Sequence, residues 1–135
     1  AEIAENFAAE WAQGRERLSV SLQGQIERGL AVAAADYREA LAQIPEVNAA
    51  FEPVFEQYDA ILTPAVAGEA PRGLGSTGDP AFCTLWTFCG MPALSLPLLR
   101  GPAGLPLGVQ LVAPRGGDVR LLRAARWLAE NFSGP

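Results

Sequence analysis

The stretch Gly90-Met91-Pro92-Ala93-Leu94-Ser95-Leu96-Pro97 runs through Leu98 and Leu99 into Arg100-Gly101-Pro102-Ala103-Gly104. It continues as Leu105-Pro106-Leu107-Gly108-Val109-Gln110-Leu111-Val112. Ala93 to Leu98 and Leu107 to Val112 are apolar runs too short for ordinary helices, and each reads as a buried strand. Arg100 to Gly104 supplies the glycine and proline of a turn between neighbouring strands. Pro97 and Pro106 bracket that turn, where a missing N–H matters little if the strands end there. Gly108 inside a strand predicts a close approach by another group. Gln110 is the polar residue of an apolar strand. If buried it needs partners, so a role tying down a loop is favoured over substrate contact.

Upstream, Ala60 to Thr63 is a third short apolar run, ended by Pro64. Ala67 to Pro80 is rich in glycine and proline and holds little that packs, which predicts a loop. Phe82 to Phe88 predicts a short helix stopped by Gly90. Downstream, Gly116-Gly117 leads to Asp118, a suitable N-cap. Leu121, Leu122, Ala125, Leu128, Ala129 and Phe132 then form one face of a closing helix, with Arg120, Arg123 and Arg126 on its solvent side.

Residues 1–58 read as a helical region. Phe7, Ala8, Trp11 and Leu18 recur at helical spacing, and Leu22, Ile26 and Leu30 share a face in a segment that Gly29 stops. A stronger helix covers Ala33 to Ile44, ended or kinked at Pro45. Val47, Phe51, Val54, Phe55 and Tyr58 continue an apolar stripe, with a kink or fresh start at Pro53. The fold class is therefore α/β, with helices packed on a small, mostly buried sheet. Three short apolar strands suggest burial on both faces, as at the centre of a larger sheet, and their edges want partners. Residues 59–135 form the strand-bearing segment, and the whole reads as one incomplete domain. Bare sheet edges predict self-association.

Four blocks resemble the amidase-signature family. They are Tyr58-Asp59-Ala60-Ile61-Leu62-Thr63-Pro64, Gly90 to Pro97, Gly104 to Val112, and Asp118 to Ala125, in the family's order and at its spacing. The resemblance implies the carboxy-terminal segment of an amidase. Such enzymes hydrolyse amides with a serine nucleophile, a second serine and a lysine, and use no metal or other cofactor. Their catalytic elements lie in the amino-terminal two-thirds, so the implied partners are that amino-terminal catalytic part and a small-molecule amide substrate. The resemblance also implies that the loop and the helix after it border the substrate pocket, through Thr77, Gly78, Phe82, Trp86 and Thr87. Trp86 fits a core position as well as a pocket wall. The family often has asparagine where Thr87 stands. A non-catalytic binding or regulatory module derived from the same sheet is the alternative.

The composition bears on the same point. Among 135 residues there is no histidine, and all ten basic residues are arginines. Arginine stays protonated and accepts protons poorly. No Ser-His-Asp, Cys-His or Ser-Lys system fits within this chain, and Ser76 and Ser95 lack a base to activate them. Gly75-Ser76-Thr77-Gly78-Asp79 lacks the lysine and spacing of a phosphate-binding loop. The net charge of −5 argues against nucleic acid. No apolar stretch is long enough to span a bilayer, and the acidic start is the reverse of a secretory signal. Cys83 and Cys89 fit neither a redox nor a zinc motif and read as reduced, packed thiols of a cytoplasmic protein. A chain that begins at Ala1 without methionine suits a processed, trimmed or excised piece.

Overall fold

A computed structural model describes residues 1–132. The elements run α1 (Glu2–Asn6), α2 (Ala8–Gly14), a 3-10 turn at Arg15–Arg17, α3 (Val20–Leu30), α4 (Ala34–Gln57), β1 (Ile61–Pro64), α5 (Ala81–Cys89), β2 (Ala93–Arg100), β3 (Pro106–Val112) and α6 (Asp118–Asn131). They form two compact units, Ala1–Gln43 and Ile44–Pro135. The division falls within α4.

In the first unit α1 lies against α3. Ile26 is fully buried and Ala4 nearly so. Gly29 permits the approach, because a Cβ there would meet the Ala4 methyl at 3.1 Å. Gly29 does not stop α3, which starts behind a Ser19 cap and continues to Leu30. The Arg15 guanidinium lies 4.4 Å from the Trp11 ring centre and pairs with Glu27. The Tyr37 hydroxyl donates to Glu2 Oε1 at 2.8 Å. That bond, slight desolvation and the charges of Glu2 and Glu5 raise the hydroxyl's pKa above its ordinary value. The bond's contribution is complete below the unfolded tyrosine pKa of about 10 and is lost as pH rises through the higher folded value. Ultraviolet titration should show Tyr37 ionising at lower pH in Glu2→Gln than in the parent.

The second unit is a sheet with helices on both faces. Its three strands lie in the order β1-β3-β2, all antiparallel. Ile61 opposes Val112 on one side of β3, and Ala93 opposes the same residue on the other. Alternation along β3 sends successive side chains to opposite faces. Val112 joins Phe55, Trp86, Cys89 and Met91, with Val47, Phe51 and Ile61 packed around them. Leu111 joins Leu121, Ala125 and Ala113, with Leu94, Leu96 and Leu128 alongside. The α4 and α5 side chains thus cover one face and α6 the other. Burial on both faces is reached in β3 from Gln110 to Val112. The outer strands alternate instead, and Leu62 remains 59% exposed.

Several local expectations are refined or corrected. Neither Pro45 nor Pro53 ends its helix, and α4 runs through both. Each proline removes one backbone donor. The carbonyl that loses its helical donor at Pro45 is that of Leu41, four residues back; Asn48 Nδ2 bonds the neighbouring Ile44 carbonyl at 2.9 Å instead. Packing of Val47, Phe51 and Phe55 holds the remainder. Asp118 is the first helical residue of α6 rather than its cap, which is Gly117 with no side-chain bond. An acid in the first turn still complements the helix dipole. Arg120, placed on the solvent side, is exposed but bends back, and its guanidinium donates to the Phe55 carbonyl at 2.8 Å. Both cysteines are free, yet only Cys89 is buried and Cys83 is exposed. Burial pushes the Cys89 thiol pKa up. Iodoacetamide at neutral pH should therefore label Cys83 before Cys89, which should react only on unfolding, as peptide mass will show.

Candidate functional site

The polar features of the sheet gather at one end, on the face that carries α5. Thr63 and Ser95 both oppose Gln110 in register, so the three side chains share that face. Gln110 is 4% exposed. Its Nε2 donates to Thr63 Oγ1 at 3.1 Å and to the Phe82 carbonyl at 2.9 Å. The Cys83 thiol lies 3.7 Å from Gln110 Oε1 and 3.7 Å from the Ala65 carbonyl. One buried amide thus fastens the edge strand β1 and the first turn of α5 to the central strand, where the sequence implied that it would tie down a loop. Gly108 lies one pleat away on the same face. A Cβ there would run into the Ser95 hydroxyl and would stand 2.9 Å from the Ala65 methyl. Its carbonyl accepts the Ala65 N–H at 2.9 Å, which sets the chain's path as it leaves β1 for the loop.

The far end of α5 is fastened by a residue that sequence reasoning missed. Asn48 Nδ2 reaches the Cys89 carbonyl at 3.0 Å. Gly90 then closes the helix in the left-handed conformation, with φ of 65°, where a side chain would be strained. An asparagine inside an amphipathic helix gives no hint of such a partner.

The residues expected to border substrate fall into two groups. Thr77 and Gly78 lie in the exposed loop, where the Gly78 N–H donates to Ser76 Oγ at 3.1 Å. Phe82, Trp86 and Thr87 lie on α5, into which the loop feeds through an Asp79 carboxylate that accepts the Ala81 N–H at 2.9 Å. Among the described residues no hydrogen bond joins Thr77 or Gly78 directly to Phe82, Trp86 or Thr87. Phe82 is half-buried and Thr87 exposed. Trp86 is 8% exposed, inside the core, with the Phe51 ring 5.5 Å away at 60°.

Two open clefts lie elsewhere. One of about 780 Å³ runs between β1 and α6, lined by Leu62, Leu111, Arg123 and Trp127 among others. Another of about 400 Å³ lies beside α4 and includes Asn48, Glu52 and Arg115. The described residues contain three hydroxyl or thiol groups near Gln110, namely Thr63, Ser95 and Cys83, with no amine or imidazole side chain to deprotonate them, because the chain has none.

Comparison with known proteins agrees with this architecture. A family model described as Amidase matches residues 3–122. A glutamyl-tRNA(Gln) amidotransferase subunit of Clostridium acetobutylicum is 36% identical over 103 residues, which is 70% of this chain and 21% of that protein. The putative amidase AmiC of Mycobacterium leprae is 38% identical over 88 residues, or 56% of this chain and 19% of that one. A crystal structure of an amidase superposes with a TM-score of 0.76 at 26% identity, covering 96% of this chain and 32% of its own. The chain therefore spans about a fifth of the length of the curated relatives it matches. A match over nearly the whole chain, four motif blocks in order and a superposable fold agree: this chain belongs to the amidase family, whose amidase-signature enzymes its motifs resemble.

Proposed function

We propose that these residues supply the carboxy-terminal part of an enzyme that hydrolyses carboxylic amides, with its Ser-Ser-Lys apparatus lying outside them. The observation that carries this reading is chemical. A hydroxyl nucleophile needs a base, and a chain whose basic residues are all arginine offers none at ordinary pH. The same segment would then complete the enzyme's sheet and wall its acyl pocket. In this reading Thr77, Gly78, Phe82 and Thr87 face the substrate side of the loop and α5, while Trp86 backs them from the core. The named relatives include an amidotransferase component and an amidase, so a cytoplasmic enzyme acting on a small amide is the proposed whole. Its partner is the amino-terminal catalytic part.

The test is an assay of two purified proteins on simple aliphatic and aryl amides. One is the present chain; the other is extended through the sequence encoded upstream of Ala1. Release of ammonia or amine by the extended protein alone is the expected result. It should be abolished there by substitution of the lysine base. Turnover by the 135 residues unaided would overturn the reading.

A further inference from the structure

The segment from Val66 to Pro80 is exposed at every residue except Glu69. That exception has a structural cause in the turn between β2 and β3. The turn closes on itself through the Gly101 N–H to the Leu105 carbonyl and the Gly104 N–H to the Gly101 carbonyl, both 2.9 Å. Arg100 braces it by donating to the Gly104 carbonyl at 3.0 Å, and Gly104 adopts a φ of 81°. These bonds leave the N–H groups of Ala103 and Leu105 pointing out of the turn.

Both donors converge on the Glu69 carboxylate. Ala103 N lies 3.0 Å from Oε1 and 3.2 Å from Oε2, and Leu105 N lies 3.0 Å from Oε1. Gly101 forms the floor of this socket. A Cβ at that position would overlap Cγ, Cδ and Oε1 of Glu69, so glycine leaves the space that the seated carboxylate fills. Converging backbone N–H groups favour an anion, and bonds to a charged acceptor are stronger than neutral ones.

We propose that Glu69 is a positioning residue: its carboxylate, seated in the backbone socket of residues 101–105, latches the near end of the 66–80 loop to the sheet. The latch fixes where the loop departs, and so where Thr77 and Gly78 can reach, while the stretch beyond Ala70 stays open to solvent. It holds whether or not the loop meets substrate.

Residue-resolved amide hydrogen exchange on this chain tests the latch. In Glu69→Ala the amides of Ala103 and Leu105 should exchange about tenfold faster or more, the range expected for losing a bond to a charged acceptor. The amides of Val109 and Leu111 in β3 should keep their rates. Glu69→Gln, which keeps an acceptor of the same length but no charge, should show a smaller rise at the same two positions. Gly101→Ala should expel the intact Glu69 and match Glu69→Ala, and the double variant should add nothing further. Unchanged exchange at Ala103 and Leu105 in Glu69→Ala would overturn the proposal. Equal acceleration throughout β3, or protection that survives Gly101→Ala, would overturn it as well.

Discussion

Trp86→Ala should cost the second unit about 3–5 kcal/mol, the range found when a large aromatic is removed from a packed core. At a urea dependence of about 1–3 kcal/mol per molar, the unfolding midpoint should fall by more than about 1 M. Trp86 is 8% exposed, pairs with the Phe51 ring, and shares one core cluster with Phe55 of α4, Cys89 of α5, Met91 just beyond it and Val112 of β3. Its loss would leave a cavity walled by three elements that cannot close on one another without giving up their own packing. Trp86→Phe keeps one ring against Phe51 and should lose less. Thr87→Ala, one residue on and exposed, should move the midpoint by no more than about 0.5 kcal/mol equivalent. A Trp86→Ala midpoint matching that of Thr87→Ala would mean that the indole is a surface wall and not a core residue.

The second large effect is expected at Gly108. Gly108→Val should destabilise by about 1–3 kcal/mol through overpacking. The added side chain would have to displace the Ser95 hydroxyl and the Ala65 methyl, and Ala65 cannot withdraw without breaking its bond to the Gly108 carbonyl. Removing one obstacle should restore part of the loss, so Gly108→Val with Ser95→Gly should unfold at higher urea than Gly108→Val alone. The comparison is a double-mutant cycle, and an additive result would mean that the two side chains do not compete for the same space.

The strands were legible because their signals are local. Short apolar runs set off by proline and glycine place β2 and β3 to within two residues of their observed ends. Gln110 was legible as well, since an amide inside an apolar run has to find partners, and it finds them on β1 and α5. The prolines of α4 left an end or a kink open, and the helix continues through both because the rule about one missing donor is outweighed by an apolar stripe whose packing is tertiary. Asn48 and Glu69 left no trace in the sequence. Their partners lie 41 and 34 to 36 residues away, and nothing in a polar residue's neighbours reveals a distant carbonyl or turn amide. The candidate substrate residues came from family resemblance, which left Trp86 as well suited to the core as to a pocket wall.

The register shift between Leu96 and Leu99 has a consequence for how the chain behaves in crowded solution. It coincides with Pro97 on an outer strand, and the opposite outer strand ends in Pro64. A bulge bends the ribbon and a proline withholds a donor, so neither margin presents the long, flat, regular row of groups on which fibril growth depends. Where these strands stand as edges, copies that meet edge to edge should share only a few rungs before the geometry fails, and gel filtration at rising concentration should show small, reversible species rather than growing aggregates.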